Sequence, residues 1–221
     1  GTTITTIGLQ AFHSCINVNN MIIPHTSQIN SIGSQAFYHF GSSRSGGEWF
    51  IWPLMNCVFT TIPDACWEYN KDSTFLLPST VKTISSLAFA YGSNITLYLN
   101  SLPTLSSTDV FQNLSNLNIV VNYMLDETTL QNMTNWVTYA ANIVSGITGV
   151  ASGDTLPPYT SDTGVAVTWY SDSAHTTAVT TSVSASDIYY ADRGATRVVW
   201  HVTQFLTDAS IAISDGNTNY G

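Results

Sequence analysis

Charge is the scarcest property of this sequence: Asp, Glu, Lys and Arg together make up 9% of its 221 residues, where about 25% is usual for a globular domain. Basic residues are the rarest part, five against fourteen acidic, for a formal net charge of −9. Arg44, Lys71, Lys82, Arg193 and Arg197 lie far apart in the chain. Phosphate binding needs clustered cations, so nucleic acid and anionic membrane surfaces are not expected partners. No apolar run approaches the ~18 residues of a transmembrane helix, and no basic-then-apolar start reads as a signal peptide. Membrane insertion within this chain is therefore not expected. The sequence opens on Gly1 and not on Met, which leads us to expect a processed product or an excised fragment.

Motifs of catalysis are missing as well. The chain has no Gly-x-Ser-x-Gly elbow, Walker loop, His-Glu-x-x-His helix or dinucleotide fingerprint. Its histidines, His13, His25, His39, His175 and His201, never fall three or four residues apart, so no helix face could present two of them to a metal. Asp109 and the pair Asp126-Glu127 read more simply as helix starts than as glycosidase carboxylates. Neither an enzyme nor a cofactor is expected. The three cysteines, Cys15, Cys57 and Cys66, are an odd number at spacings that fit no zinc pattern. Buried small apolar residues are the simpler reading, and a Cys57–Cys66 disulfide is the alternative if the fold brings them together.

What is present is a repeat. Ile7-Gly8-Leu9-Gln10-Ala11-Phe12 returns 25 residues later as Ile32-Gly33-Ser34-Gln35-Ala36-Phe37. The frame Ile-x-x-x-small-aromatic recurs at Ile62 to Trp67 and Ile84 to Phe89, and in degraded form at Ser106 to Phe111. Each aromatic is followed by a β-type run: Met21 to Pro24, Trp49 to Pro53, Phe75 to Pro78, Ile95 to Leu99 and Leu117 to Val121. Every unit thus predicts a turn, a short helix-like segment and a strand. Between Phe37 and Trp49 the stretch Gly41-Ser42-Ser43-Arg44-Ser45-Gly46-Gly47 lengthens one unit by a flexible loop. A unit this small cannot bury its own apolar face, so the copies must stack into a solenoid with Phe12, Phe37, Trp67, Phe89 and Phe111 in one internal column.

The Ile-Gly-x-x-Ala-Phe frame followed by an Ile-Pro strand resembles the BspA-like leucine-rich repeats of microbial surface proteins. Five copies cover roughly residues 1 to 122. The resemblance implies a mixed α/β solenoid, an extracellular or cell-surface location, and a role in adhesion.

Residues 123 to 145 space Tyr123, Leu125, Leu130, Met133, Trp136, Val137, Tyr139, Ala140 and Ile143 near helical periodicity around an acidic Asp126-Glu127 start. A helical C-terminal cap is expected there. Gly146, Gly149, Gly153 and Pro157-Pro158 then punctuate a shift to Thr-, Val- and Tyr-rich sequence, which divides the chain into a capped solenoid, 1–148, and a small all-β or β-grasp-like domain, 149–221. In the second part Trp169-Tyr170-Ser171-Asp172 with the later Ile188-Tyr189-Tyr190-Ala191 is similar to the core of Listeria–Bacteroides repeats, and less closely to bacterial Ig-like modules. Members of either family serve as spacers or binding modules.

For recognition the best candidates are Glu48, Trp49 and Trp52 beside the inserted loop, since exposed indole rings supply contact area; core packing of alternate aromatics is the competing reading. Asn94, Asn113 and Asn132 begin N-glycosylation acceptor triplets. The function expected is non-catalytic binding of a protein or glycan on a host or neighbouring surface. The alternative is a structural subunit that self-assembles in a filament, an S-layer or a phage virion, on whose surface it would then lie. A carbohydrate-active accessory fragment is a third reading, which hydrolysis of a glycan panel would reveal.

Overall fold

The computed structural model describes residues 4–18, 21, 23, 28–43, 49–148, 156, 168–179, 183, 188–192, 201–202 and 213–214. Two compact units emerge: Gly1–Ile119 with Thr128–Ile143, and Val120–Glu127 with Val144–Gly221.

The first unit is a stack of coils. Its strands are β1 (Thr6–Ile7), β2 (Ser31–Ile32), β3 (Phe50–Pro53), β4 (Thr61–Ile62), β5 (Lys71–Leu76), β6 (Thr83–Ile84), β7 (Ser93–Leu99), β8 (Thr104–Leu105) and the first part of β9 (Ser115–Asn122). Two-residue strands open each coil and pair in parallel, Thr6 with Ser31, Thr61 with Thr83 and Thr83 with Thr104. The longer strands form a second ladder in the order β9-β7-β5-β3, parallel from β3 to β7, with Trp52 opposite Phe75 and Phe75 opposite Leu97. Between the two ladders runs the column of anchors. Phe12 stacks on Phe37 at 5.3 Å, Phe37 on Trp67 at 5.4 Å, Trp67 on Phe89 at 5.6 Å and Phe89 on Phe111 at 5.8 Å, all within 17° of coplanar. The internal four are buried, and Phe12, at the end, is half-buried.

The segment around each anchor is not helical, which corrects the expectation of a short helix. A helix would direct every N–H to a carbonyl four residues back and leave none for a neighbouring coil. Here alternate groups divide the work. The N–H groups of Ala11, His13 and Cys15 return three residues to Gly8, Gln10 and Phe12, whereas those of Gln10, Phe12 and Ser14 cross to Ser34, Ala36 and Tyr38 of the next coil. Coils 2, 3 and 4 repeat this, with Phe37 bonded to Cys66, Trp67 to Ala88 and Phe89 to Val110. The alternation requires left-handed backbone two residues before and after the anchor, at Gln10 and Ser14, Gln35 and His39, Ala65 and Tyr69, and Leu87 and Tyr91. Each such residue carries a cost of about 1–2 kcal/mol, offset by the inter-coil hydrogen bonds it permits. Gly92 answers a different constraint: a Cβ there would lie 2.3 Å from the carbonyl oxygen of Asn70.

The expected single cap helix is shorter and divided: α1 (Glu127–Gln131) and a 3-10 helix (Trp136–Asn142), after which β10 (Ile143–Thr148) begins where helix was expected to continue. Asn135 stands at the start of the 3-10 helix with φ of 70°, which breaks the helical run. Trp136 is fully buried and continues the anchor column beside Phe111, at 5.9 Å.

In the second unit β11 (Thr168–Tyr170), β12 (Ala178–Val179), β13 (Ile188–Asp192) and β10 form an antiparallel array in the order β12-β11-β13-β10. Trp169, Tyr123, Ile147, Tyr189 and Ala191 make its core with Leu156 and Val183. Gly146 sits where a Cβ would meet the carbonyl of Tyr189 and a methyl of Val120, each at 2.7 Å. A separate pair, β14 (His201–Val202) and β15 (Ile213–Ser214), is antiparallel. Val165 to Val167 and Arg197 to Trp200, whose β-branched and aromatic residues also predict strands, lie outside the described residues. All three cysteines are free thiols, with Cys57 and Cys66 buried, so the alternative disulfide is not formed.

Candidate recognition surface

The position two residues after each anchor is left-handed, which turns its side chain onto the surface of the solenoid. His39, Tyr69 and Tyr91 occupy it in successive coils and stack on one another, at 4.2 Å and 12° and then 5.1 Å and 15°. The residues immediately after the anchor extend the row: His13 lies on Tyr38 at 4.6 Å and 12°, and Tyr38 meets His39 and Tyr69 edge-on. One stripe, His13, Tyr38, His39, Tyr69 and Tyr91, therefore runs across four coils. His13 and Tyr91 are exposed and the other three half-buried. Tyr91 donates its hydroxyl to Gln112 at 3.3 Å, and His39 Nδ1 lies 3.4 Å from Ser42 Oγ.

Stacking between coils occupies the ring faces, so the stripe offers solvent ring edges, phenol hydroxyls and imidazole nitrogens. Its titration follows from the packing. Burial, followed by the nearby His13, holds His39 below the usual imidazole value. Burial raises Glu68 above the usual carboxylate value. Tyr38 is raised by burial first, then by Glu68 and Tyr69. His13 and His39 do not stack on each other: each lies on a tyrosine of the next coil, because they stand at different distances from their anchors.

The sheet face carries the residues singled out from the sequence. Trp49 is 51% exposed and donates its indole N–H to Thr74 Oγ1 at 2.7 Å, with Ile51, 47% exposed, on the same side. Trp52 points the other way and is fully buried, stacked on Phe75 at 5.5 Å. This corrects the candidate set: strand alternation sends Trp52 into the core, where no ligand reaches it. Glu48 and the loop residues 44–47 lie outside the described residues.

A polar ladder marks the start of the long strands, where Asp72, Asn94 and Asn116 are all left-handed. Asn94 donates to Asp72 at 2.6 Å and accepts from Asn116 at 2.8 Å. Both ends of the Asn94 amide are thus engaged, while Asn113 and Asn132, the other two acceptor-triplet asparagines, are exposed. Among the described residues no three His, Cys, Asp or Glu side chains gather as a metal site would require, and no helix is long and apolar enough to cross a membrane.

The stripe was missed from the sequence because its members alternate between two positions and two residue types. The signal that could have found it is phase: each follows its anchor by one or two residues.

The family model of the BspA-type leucine-rich repeat region matches residues 1–118 in six copies, against the five counted from the sequence. No curated protein and no solved structure matches the chain. Stacked coils with one aromatic anchor each, together with a match over more than half of its length, place this chain in the BspA-type leucine-rich repeat family.

Proposed function

We propose that this chain is a non-catalytic surface protein that mediates adhesion by recognising a protein or glycan outside the cell, and that the stripe from His13 to Tyr91 is its principal contact. The observation that carries this reading is the stacking itself. Five aromatic and imidazole rings line one outer edge of the solenoid, more than packing needs when the anchors already fill the interior. Rings locked by their neighbours lose little freedom on binding, which favours a rigid contact surface. Because the ring faces are engaged, the partner is held through hydrogen bonds to hydroxyls and imidazoles and through edge contacts. Trp49 and Ile51 on the sheet face are a second, smaller patch. In the same reading α1 and the 3-10 helix cap the solenoid, and the second unit is a small β domain that spaces or presents it.

The test is binding of the purified chain to host-cell surfaces, extracellular-matrix proteins and a glycan array, compared with a Tyr69→Ala/Tyr91→Ala variant. Binding lost from the variant at unchanged far-ultraviolet circular dichroism supports the stripe. Binding that survives, but is abolished by Trp49→Ala, moves the site to the sheet face. No binding by the native chain, with ordered arrays seen by electron microscopy, would replace adhesion by a structural role.

A further inference from the structure

The two ends of the solenoid are built differently. At the last coil the carbonyls of Pro103 and Leu105 are the counterparts of those of Lys82 and Ile84, which accept N–H groups from Thr104 and Ser106 of the next coil. In place of a next coil, Trp136 Nε1 donates to Pro103 at 2.6 Å and Asn135 Nδ2 to Leu105 at 2.9 Å. That end is closed in side chain as well as in hydrogen bonding.

The first coil is not. Ile4 is 70% exposed although its counterparts in the next three coils, Ile29, Phe59 and Val81, are 6%, 1% and 1% exposed. Leu9 is also 70% exposed, and Phe12 has a ring stacked on one face only among the described residues. The carbonyls of Ser34, Ala36 and Tyr38 each accept an N–H from the coil before, and among the described residues no donor reaches the equivalent carbonyls of Leu9, Ala11 and His13. Gly8 supplies a separate observation. Its counterpart Gly33 has to be glycine because a Cβ would lie 2.4 Å from the backbone nitrogen of Leu9 in the preceding coil, whereas a Cβ on Gly8 meets nothing within 4 Å. Gly8 has no positive φ to justify it either. The first coil thus has the residues of an interior coil.

We propose that the outer face of the first coil, formed by Ile4, Gly8, Leu9 and Phe12, is a docking surface for one further coil of this repeat, stacked in the same parallel register. The occupant must supply N–H donors opposite Leu9, Ala11 and His13, an aromatic anchor over Phe12 and close backbone at Gly8. Those are the properties of the trailing face of every coil here. A second copy of this chain does not offer that face, because Trp136 and Asn135 already close its last coil.

The experiment duplicates residues 4–28 immediately ahead of Ile4 in the full chain, with a scrambled duplicate as control. The expected result is a melting temperature higher by about 2–4 °C or more, with slowed amide exchange at Ile7 to Cys15. Gly8→Ala should be silent in the native chain and should remove the gain in the extended one. A duplicate that is digested away without protecting the first coil overturns the proposal, as does a Gly8→Ala variant equally silent in both chains. A native chain that is a dimer in solution, and becomes a monomer on Leu9→Asp, overturns the choice of occupant.

Discussion

Trp136 donates its indole N–H to the carbonyl of Pro103 at 2.6 Å while its ring lies against Phe111. One side chain thus replaces both things a following coil would supply, a backbone donor and an anchor ring. The two contributions separate by substitution. Trp136→Phe keeps apolar area but leaves the Pro103 carbonyl buried without its donor, at a cost of about 1–3 kcal/mol. Trp136→Ala removes the ring too and should cost about 3–5 kcal/mol. Urea unfolding of the two variants measures the difference: a Trp136→Phe variant as stable as the native chain would mean that the hydrogen bond contributes nothing, and equal losses that the ring contributes nothing.

Position in the anchor column sets the cost of losing an anchor. Phe37 is fully buried between Phe12 and Trp67, with Phe40 and Trp52 packed edge-on. Phe37→Ala should destabilise by about 3–5 kcal/mol. Phe12→Ala, at the half-buried end of the same column, should cost clearly less. Chemical denaturation of both variants checks the order, and an equal cost would count against a continuous core.

This column is also where the sequence was most legible. The anchor frame survives drift because a coil that loses its aromatic opens a cavity between two neighbours, so Phe37 and Trp67 keep phase even where Gly33 becomes Pro63. The conformation around the anchor was not legible. Gln10-Ala11-Phe12 and Leu87-Ala88-Phe89 have ordinary helical propensity, and only the neighbouring coil's carbonyls pull alternate N–H groups outward into left-handed turns. Trp49 and Trp52 show the same limit. Alternation along a strand puts residues three apart on opposite faces, and only the folded core shows that Trp52 and not Trp49 is the buried one. The His13-to-Tyr91 stripe exists only through coil stacking, which no local window contains.

Two residues, His39 of the stripe and Glu68, which precedes Tyr69, should give stability pH slopes of opposite sign. Burial lowers His39 in the folded chain, so its protonation favours the unfolded state. Its contribution is complete above the ordinary value of 6.5 and is lost as pH falls toward the depressed folded value. Burial raises Glu68, so its contribution is complete below the ordinary value of 4.5 and is lost as pH rises through the elevated folded value. His39→Gln should flatten the loss as pH falls below 6.5, and Glu68→Gln the loss as pH rises above 4.5. Melting temperatures from about pH 4 to about pH 8, an interval that brackets both ordinary values, give both slopes. Unchanged profiles in the two variants would assign the pH dependence elsewhere.

The turn between β11 and β12 rests on one carboxylate. Asp172 accepts N–H groups from Ala174 at 3.1 Å, Thr176 at 3.0 Å and Thr177 at 2.6 Å. This gives the aspartate of the Trp-Tyr-x-Asp run a physical purpose, since it fixes the turn that pairs Tyr170 with Ala178. The bond from Thr176 is the first cause, with Thr177 adding to it, that brings the Asp172 carboxyl down to about 2. A depressed carboxylate stabilises the folded turn above its ordinary value of 3.8, and that contribution disappears as pH falls from there to about 2. Asp172→Ala should abolish amide protection at Thr176 and Thr177 at neutral pH. Asp172→Asn keeps one acceptor oxygen and should retain part of it. Hydrogen exchange resolved by residue decides: protection at Thr176 and Thr177 that survives Asp172→Ala would show that strand pairing alone, and not the carboxylate, closes the hairpin.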